Sequence, residues 1–141
     1  MRAALLLLLL ASGCGADKDR ASDGRYDGMW TATTIDGQAV APRAFLVRVR
    51  GGRVVGGKDG CNHWVFDLTR PPEPDGTRTI ATDLMACPGV PPRPTYWRAL
   101  GNGNAVPDMT PTGELRLRAG GSVLLARRLP APIRPGKADR P

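Results

Sequence analysis

Ala44-Phe45-Leu46-Val47-Arg48-Val49-Arg50-Gly51-Gly52-Arg53-Val54-Val55-Gly56 alternates side chains, doubles back through two glycines and resumes as an apolar run. Successive side chains of a strand point to opposite faces, so Phe45, Val47 and Val49 share one face and Leu46, Arg48 and Arg50 the other. Gly51-Gly52 can supply both left-handed positions of a two-residue turn. The stretch predicts a β-hairpin whose return limb is Arg53 to Gly56.

The same alternation recurs on both sides. Met29 to Ile35 sets Trp30, Ala32 and Thr34 against Thr31 and Thr33, with Asp36-Gly37 as the following turn. Asn62 to Leu68 sets Trp64, Phe66 and Leu68, as an inward face, against His63, Val65 and Asp67. Pro71 to Gly76 reads as an exposed turn, and Arg78 to Ala81 as extended chain. Leu115 to Arg118, a Gly120-Gly121 turn and Val123 to Leu129 make a closing hairpin. Between these, Pro88 to Pro94 contains four prolines and is read as a loop, because proline removes donors and fixes φ. Thr95 to Leu100 places Tyr96, Trp97 and Leu100 at helical spacing and predicts one short helix capped by Thr95. Short strands separated by Gly, Pro and Asp favour a mainly β barrel or sandwich.

The N-terminus has a different composition. Met1-Arg2 is followed by the apolar run Ala3 to Ala11 and the small residues Ser12, Gly13 and Cys14, the layout of a secretory signal over 1–13. That run is far shorter than the roughly 20 residues a spanning helix needs. Leu10-Ala11-Ser12-Gly13-Cys14 resembles the bacterial lipobox, which implies a diacylglycerol on the Cys14 thiol and cleavage before it. Two or three acyl chains anchor stably where one would be marginal. Residues 14–25 read as a flexible tether, 26–129 as one β domain, and 130–141 as a disordered proline-rich tail. About 128 residues after the signal suit a single domain.

The chain carries a formal charge of +7, and a basic surface can attract anionic lipid, polysaccharide or nucleic acid, although such a charge is equally the signature of an arginine-rich genome. Nucleic acid is a poor candidate, since the arginines are scattered and only 5% of residues are aromatic. The expected partners are the membrane, through the Cys14 lipid, and an envelope component that the sequence does not name. The chain is expected to be monomeric.

Of three cysteines, Cys14 is assigned to lipid, leaving Cys61 and Cys87 in an oxidising compartment. A disulfide follows, worth about 3 to 4 kcal/mol in the loop-entropy account. Zinc would want more partners than His63, the single histidine, and no cofactor is expected. A catalytic thiol at Cys61 would need a base, and His63, two residues on, would share its strand face, but the pair is isolated and a lone histidine beside a tryptophan is far more often a surface or half-buried packing residue.

Gly57-Lys58-Asp59-Gly60-Cys61-Asn62 and Leu84-Met85-Ala86-Cys87-Pro88 resemble the two signature blocks of META domains, a family of small envelope proteins related to the heat-shock protein HslJ. The likeness runs from about Trp30 through Tyr96-Trp97-Arg98-Ala99-Leu100 to the final strands. This chain is a divergent case, with Asp83 where the family carries threonine and prolines after the second cysteine. The resemblance implies a small closed or partly closed antiparallel β-barrel with one short helix, and no established chemistry. Structural roles are expected for Gly57, Gly60, Asn62, Met85 and Ala86: Gly60 in a tight bend, Asn62 bonding turn backbone, Met85 filling a core gap.

The leading functional expectation is a lipid-anchored, non-enzymatic envelope protein, a binding or stress-related module. A small-molecule carrier with a cavity in the barrel is the alternative. A hydrolase using Asp67, Asp83 or His63 comes third, without a paired acid and base at recognisable spacing. Gly15 after the lipidated cysteine is compatible with release to an outer membrane facing the periplasm, in a bacterium that has one.

Overall fold

A computed structural model describes residues 24–130. The signal expected over 1–13, the lipidation expected at Cys14, most of the expected 14–25 tether and all but the first residue of the expected 130–141 tail lie outside the described residues. None of the described helices is long and apolar enough to cross a membrane.

Nine strands and one helix follow in chain order: β1 (Gly28–Ile35), β2 (Gln38–Ala39), β3 (Phe45–Arg50), β4 (Arg53–Asp59), β5 (His63–Phe66), β6 (Ile80–Thr82), α1 (Arg93–Leu100), β7 (Val106–Met109), β8 (Leu115–Ala119) and β9 (Ser122–Arg128). All pairings are antiparallel, and eight strands lie in the order β6-β5-β4-β3-β1-β9-β8-β7, with β2 added to the end of β1. The sheet curls around one core but leaves β6 and β7 as separate edges, so the barrel is partly closed. Across the seam, Asn104 Nδ2 donates to the Gly76 carbonyl at 2.9 Å.

The hairpin of Phe45–Arg50 and Arg53–Asp59 forms as its pattern dictates. Phe45, Val47 and Val49 are buried, and Gly51 and Gly52 turn with φ of 56° and 68°. Its return limb runs three residues beyond Gly56, to Asp59, past a bulge at Val55. The first strand departs from strict alternation. A bulge between Ala32 and Thr34 opposite β9 rotates the chain, so Trp30, Ala32 and then Ile35 are buried in place of Thr34. Burying an Ile side chain is worth about 1.5–3 kcal/mol. The bulge leaves Thr33 half-buried with its hydroxyl donating to the Leu125 carbonyl, so the irregularity is satisfied.

Three other expectations are corrected. Leu68 lies beyond the end of β5 and is 51% exposed, while Trp64 and Phe66 are buried as expected. The helix begins at Arg93, inside the proline run, and Thr95 is not its cap: Pro94 occupies the first turn, where a missing N–H costs nothing. Strands β2 and β7 were not expected; β7 contains Pro107, which suits an edge.

The helix plugs one end of the barrel, burying Tyr96, Ala99 and Leu100. Tyr96 and the half-buried Trp97 meet Trp64, with ring centroids 6.2 and 4.8 Å away. The interior is filled by Trp30, Phe45, Val47, Leu115, Leu117 and Leu124, each at most 2% exposed.

Candidate functional site

At the helix-plugged end, the two sequence blocks around the cysteines meet. Strand β4 ends at Asp59, which is buried, and Gly60 turns the chain with φ of 90°. That turn leaves the N–H groups of Cys61 and Asn62 facing back, and both donate to Asp59 Oδ1, at 3.1 and 2.8 Å. A Cβ at Gly60 would lie 2.7 Å from Val90 Cγ1 and 2.9 Å from Phe45 Cζ, so close packing joins left-handed φ in excluding a side chain. Cys61 is buried and disulfide-bonded to Cys87, their Cα atoms 6.1 Å apart, within the usual span of such bridges. Asn62 Oδ1 accepts the Met85 N–H at 2.9 Å. Arg93, from the first turn of α1, donates Nε to the Asp59 carbonyl at 3.2 Å and lies 3.4 Å from its carboxylate. The second carboxylate oxygen of Asp59 therefore neutralises the guanidinium that anchors the helix.

Gly57 opens a second close approach. A Cβ there would sit 2.0 Å from the Leu46 carbonyl oxygen and 2.8 Å from the Tyr96 hydroxyl. The hydroxyl uses that space, donating to Leu46 O at 2.7 Å and accepting Trp64 Nε1–H at 3.1 Å. Burial pushes the Tyr96 phenol well above the ordinary tyrosine range.

The structure thus brings Gly60, Cys61, Asn62, Met85 and Cys87 together at one corner, with Gly57 on β4 three residues before Gly60. Two expected roles are corrected. Met85 does not fill a core gap: it is 59% exposed, and only its backbone is held. Ala86 is likewise exposed. Asn62 bonds backbone 23 residues away rather than within its own turn. Asp59 and Arg93 were not singled out from sequence. An Asp-Gly pair two residues before Cys61 was the available signal for Asp59, whereas nothing local to Arg93 announces its partner.

Of the groups considered for hydrolysis, the structure brings His63 and Asp83 together and leaves Asp67 apart. His63 Nδ1 lies 3.3 Å from Asp83 Oδ2 at the exposed outer edge of β5 and β6. Asp67 is beyond the other end of β5, its carboxyl held below the usual range by hydrogen bonds from the Thr69 hydroxyl and N–H, with Arg70 nearby. Among the described residues, no cluster of three or more His, Cys, Asp or Glu could hold a metal ion.

The outer face of β3 and β4 is cationic. Arg48, Arg50 and Arg53 are exposed around the turn, Lys58 is half-buried farther along, and residues 43–58 contain no acid. Several arginines elsewhere are matched: Arg116 and Arg118 reach Asp108, Arg127 reaches Glu114, and Arg70 reaches Asp67. Apolar groups are exposed on the β5–β6 side, with Val65, Leu84 and Met85 at 47, 95 and 59%.

No protein-family model, curated protein or solved structure matches the chain.

Proposed function

We propose that this chain is a lipid-anchored, non-enzymatic protein of the cell envelope, a divergent META-type barrel held on an extracytoplasmic membrane surface as a binding module. The observation that carries the proposal is the pairing of Cys61 with Cys87, which leaves Cys14, at the end of the signal-like N-terminus, as the third cysteine. A structural disulfide fits an exported protein, and Cys14 stands where a lipobox places its lipidated thiol. The META reading is supported by the convergence of its two blocks through Cys61–Cys87 and Asn62–Met85. Close filling of the interior by Trp30, Phe45, Leu115, Leu117 and Leu124 supports a binding surface over a carrier cavity.

The test is intact mass of the protein purified in detergent from its native envelope, before and after reduction and alkylation. The expected result is a chain beginning at acylated Cys14, with two alkylation sites that open only on reduction. An unacylated mass would refute the anchor, and free Cys61 and Cys87 would refute the bridge.

A further inference from the structure

We infer that the turn end of the β3–β4 hairpin is a docking surface for the anionic face of a lipid bilayer, with Arg48, Arg50 and Arg53 as its contacts. The inference rests on the lipid-anchor reading for its orientation and deepens it by naming the side of the domain that meets the membrane.

Three observations carry it. First, Arg48, Arg50 and Arg53 are exposed, and among the described residues none is within ion-pair distance of a carboxylate, in contrast to the matched arginines on β8 and β9. Second, the domain's first described residues lie at this same end. Gly52 N–H donates to Asp27 Oδ1 at 3.3 Å, Gly28 pairs with Val49, and the Arg128 guanidinium bonds the carbonyls of Arg25 and Asp27 while covering the Trp30 ring. Third, ten residue steps separate Cys14 from Gly24, so even full extension limits the lipid to about 35 Å from this end. An acyl group on Cys14 therefore attaches the domain to the membrane from the end that carries the hairpin turn. The helix-plugged end, with the disulfide, is at the far side of the strands.

Electrostatics then sets the pose. Exposed basic residues near an anionic leaflet each add to attraction that decays within a Debye length, about 8 Å at physiological salt. Tethering converts that weak attraction into an intramolecular equilibrium, so a few cations suffice to hold an orientation. Asp27 is the acid among them, and its Oδ1 is engaged by the hairpin turn.

The test uses the protein purified from its envelope and reconstituted into vesicles of phosphatidylcholine alone or mixed with phosphatidylglycerol. Amide exchange is read across residues 24–28 and 48–54. Slower exchange in the anionic vesicles is expected, with the difference abolished at about 1 M salt, where the Debye length is near 3 Å. R48E/R50E/R53E should lose the effect, whereas R48K/R50K/R53K should keep it, which separates charge from any folding defect. Equal exchange in both vesicles, or a difference that survives salt, overturns the docking surface. Intact mass of the same sample reads the anchor separately. If the chain is unacylated, binding of the free protein to the two vesicle types still decides the docking: anionic preference falling about 100-fold in the charge-reversed variant supports it, and no preference overturns it.

Discussion

Gly57 illustrates how one absent side chain can be required by two partners at once. Alanine there would put a carbon 2.0 Å from a backbone oxygen and 2.8 Å from the Tyr96 hydroxyl. The backbone contact decides the outcome, because a hydroxyl can be removed but the Leu46 carbonyl is fixed in the sheet. Gly57→Ala should therefore cost about 3 kcal/mol in urea unfolding, as overpacking with a backbone shift does, and Tyr96→Phe in the same chain should recover little of it. Full rescue by phenylalanine would show the hydroxyl, not the carbonyl, to be the obstacle. Tyr96→Phe alone should cost about 1–3 kcal/mol, since Leu46 O loses a donor and Trp64 Nε1–H an acceptor. The phenol also couples stability to pH. Its folded pKa is raised well above the unfolded value near 10, so the stabilisation is full below about pH 10. As pH rises further the unfolded chain releases the proton first, and stability falls. In a Tyr26→Phe background, tyrosinate absorbance should appear only with unfolding; ionisation of a still-folded chain would contradict this. Gly57 stood in a recognisable sequence block, but its reason was not legible there, because Leu46 and Tyr96 are supplied by other elements.

At the scale of elements, the hairpins were legible because their information is local. Gly51-Gly52 and Gly120-Gly121 each join alternating runs, and each turns with both φ values positive. The errors arose where a non-local partner chose the face or the boundary. The bulge opposite β9 replaced Thr34 by Ile35, and β7 exists because β8 offers it an edge. The start of α1 belongs to the same class, since Arg93 is drawn into the first turn by Asp59 from the end of β4. The segment from Asp83 to Pro92 depends on that corner. It is held by Cys87, by Met85 N–H on Asn62 and by the helix that follows. Joint substitution Cys61→Ala and Cys87→Ala should remove about 3–4 kcal/mol, the value expected for a loop of this length, and should speed exchange of the 84–92 amides most. Asp59→Ala, with the disulfide intact, should cost about 2–4 kcal/mol, because two N–H groups and a half-buried guanidinium lose their acceptor together. A loss below about 0.5 kcal/mol would mean that water replaces the carboxylate fully.

For the whole molecule, strand order was the part least accessible from sequence. Alternation identifies which residues face inward but not which strand lies beside which, and the decisive neighbours β1 and β9 come from opposite ends of the domain. That pairing places the two ends of the described chain together: Leu129 N–H donates to the Met29 carbonyl at 2.8 Å, and Arg128 bonds carbonyls at residues 25 and 27. Chain connectivity at this junction therefore contributes little that hydrogen bonds do not already supply. The Pro71–Gly76 region is the reverse case, an exposed turn whose one long-range hydrogen bond among the described residues runs from Asn104 to Gly76. A circular permutant that joins residue 129 to residue 26 through a short Gly-Ser linker and opens at Pro74–Asp75 should keep the native sheet. Its loss in urea unfolding should be about 1 kcal/mol, near the value of that one bond. Opening instead at Gly51–Gly52 should cost more, because it unlinks β3 from β4 at the middle of the strand order and frees a paired hairpin into the unfolded chain. Circular dichroism and urea midpoints of the two permutants separate the cases. Equal destabilisation would mean that the seam between β6 and β7 matters as much to stability as the central hairpin, and that the barrel is energetically closed despite its two unpaired edges.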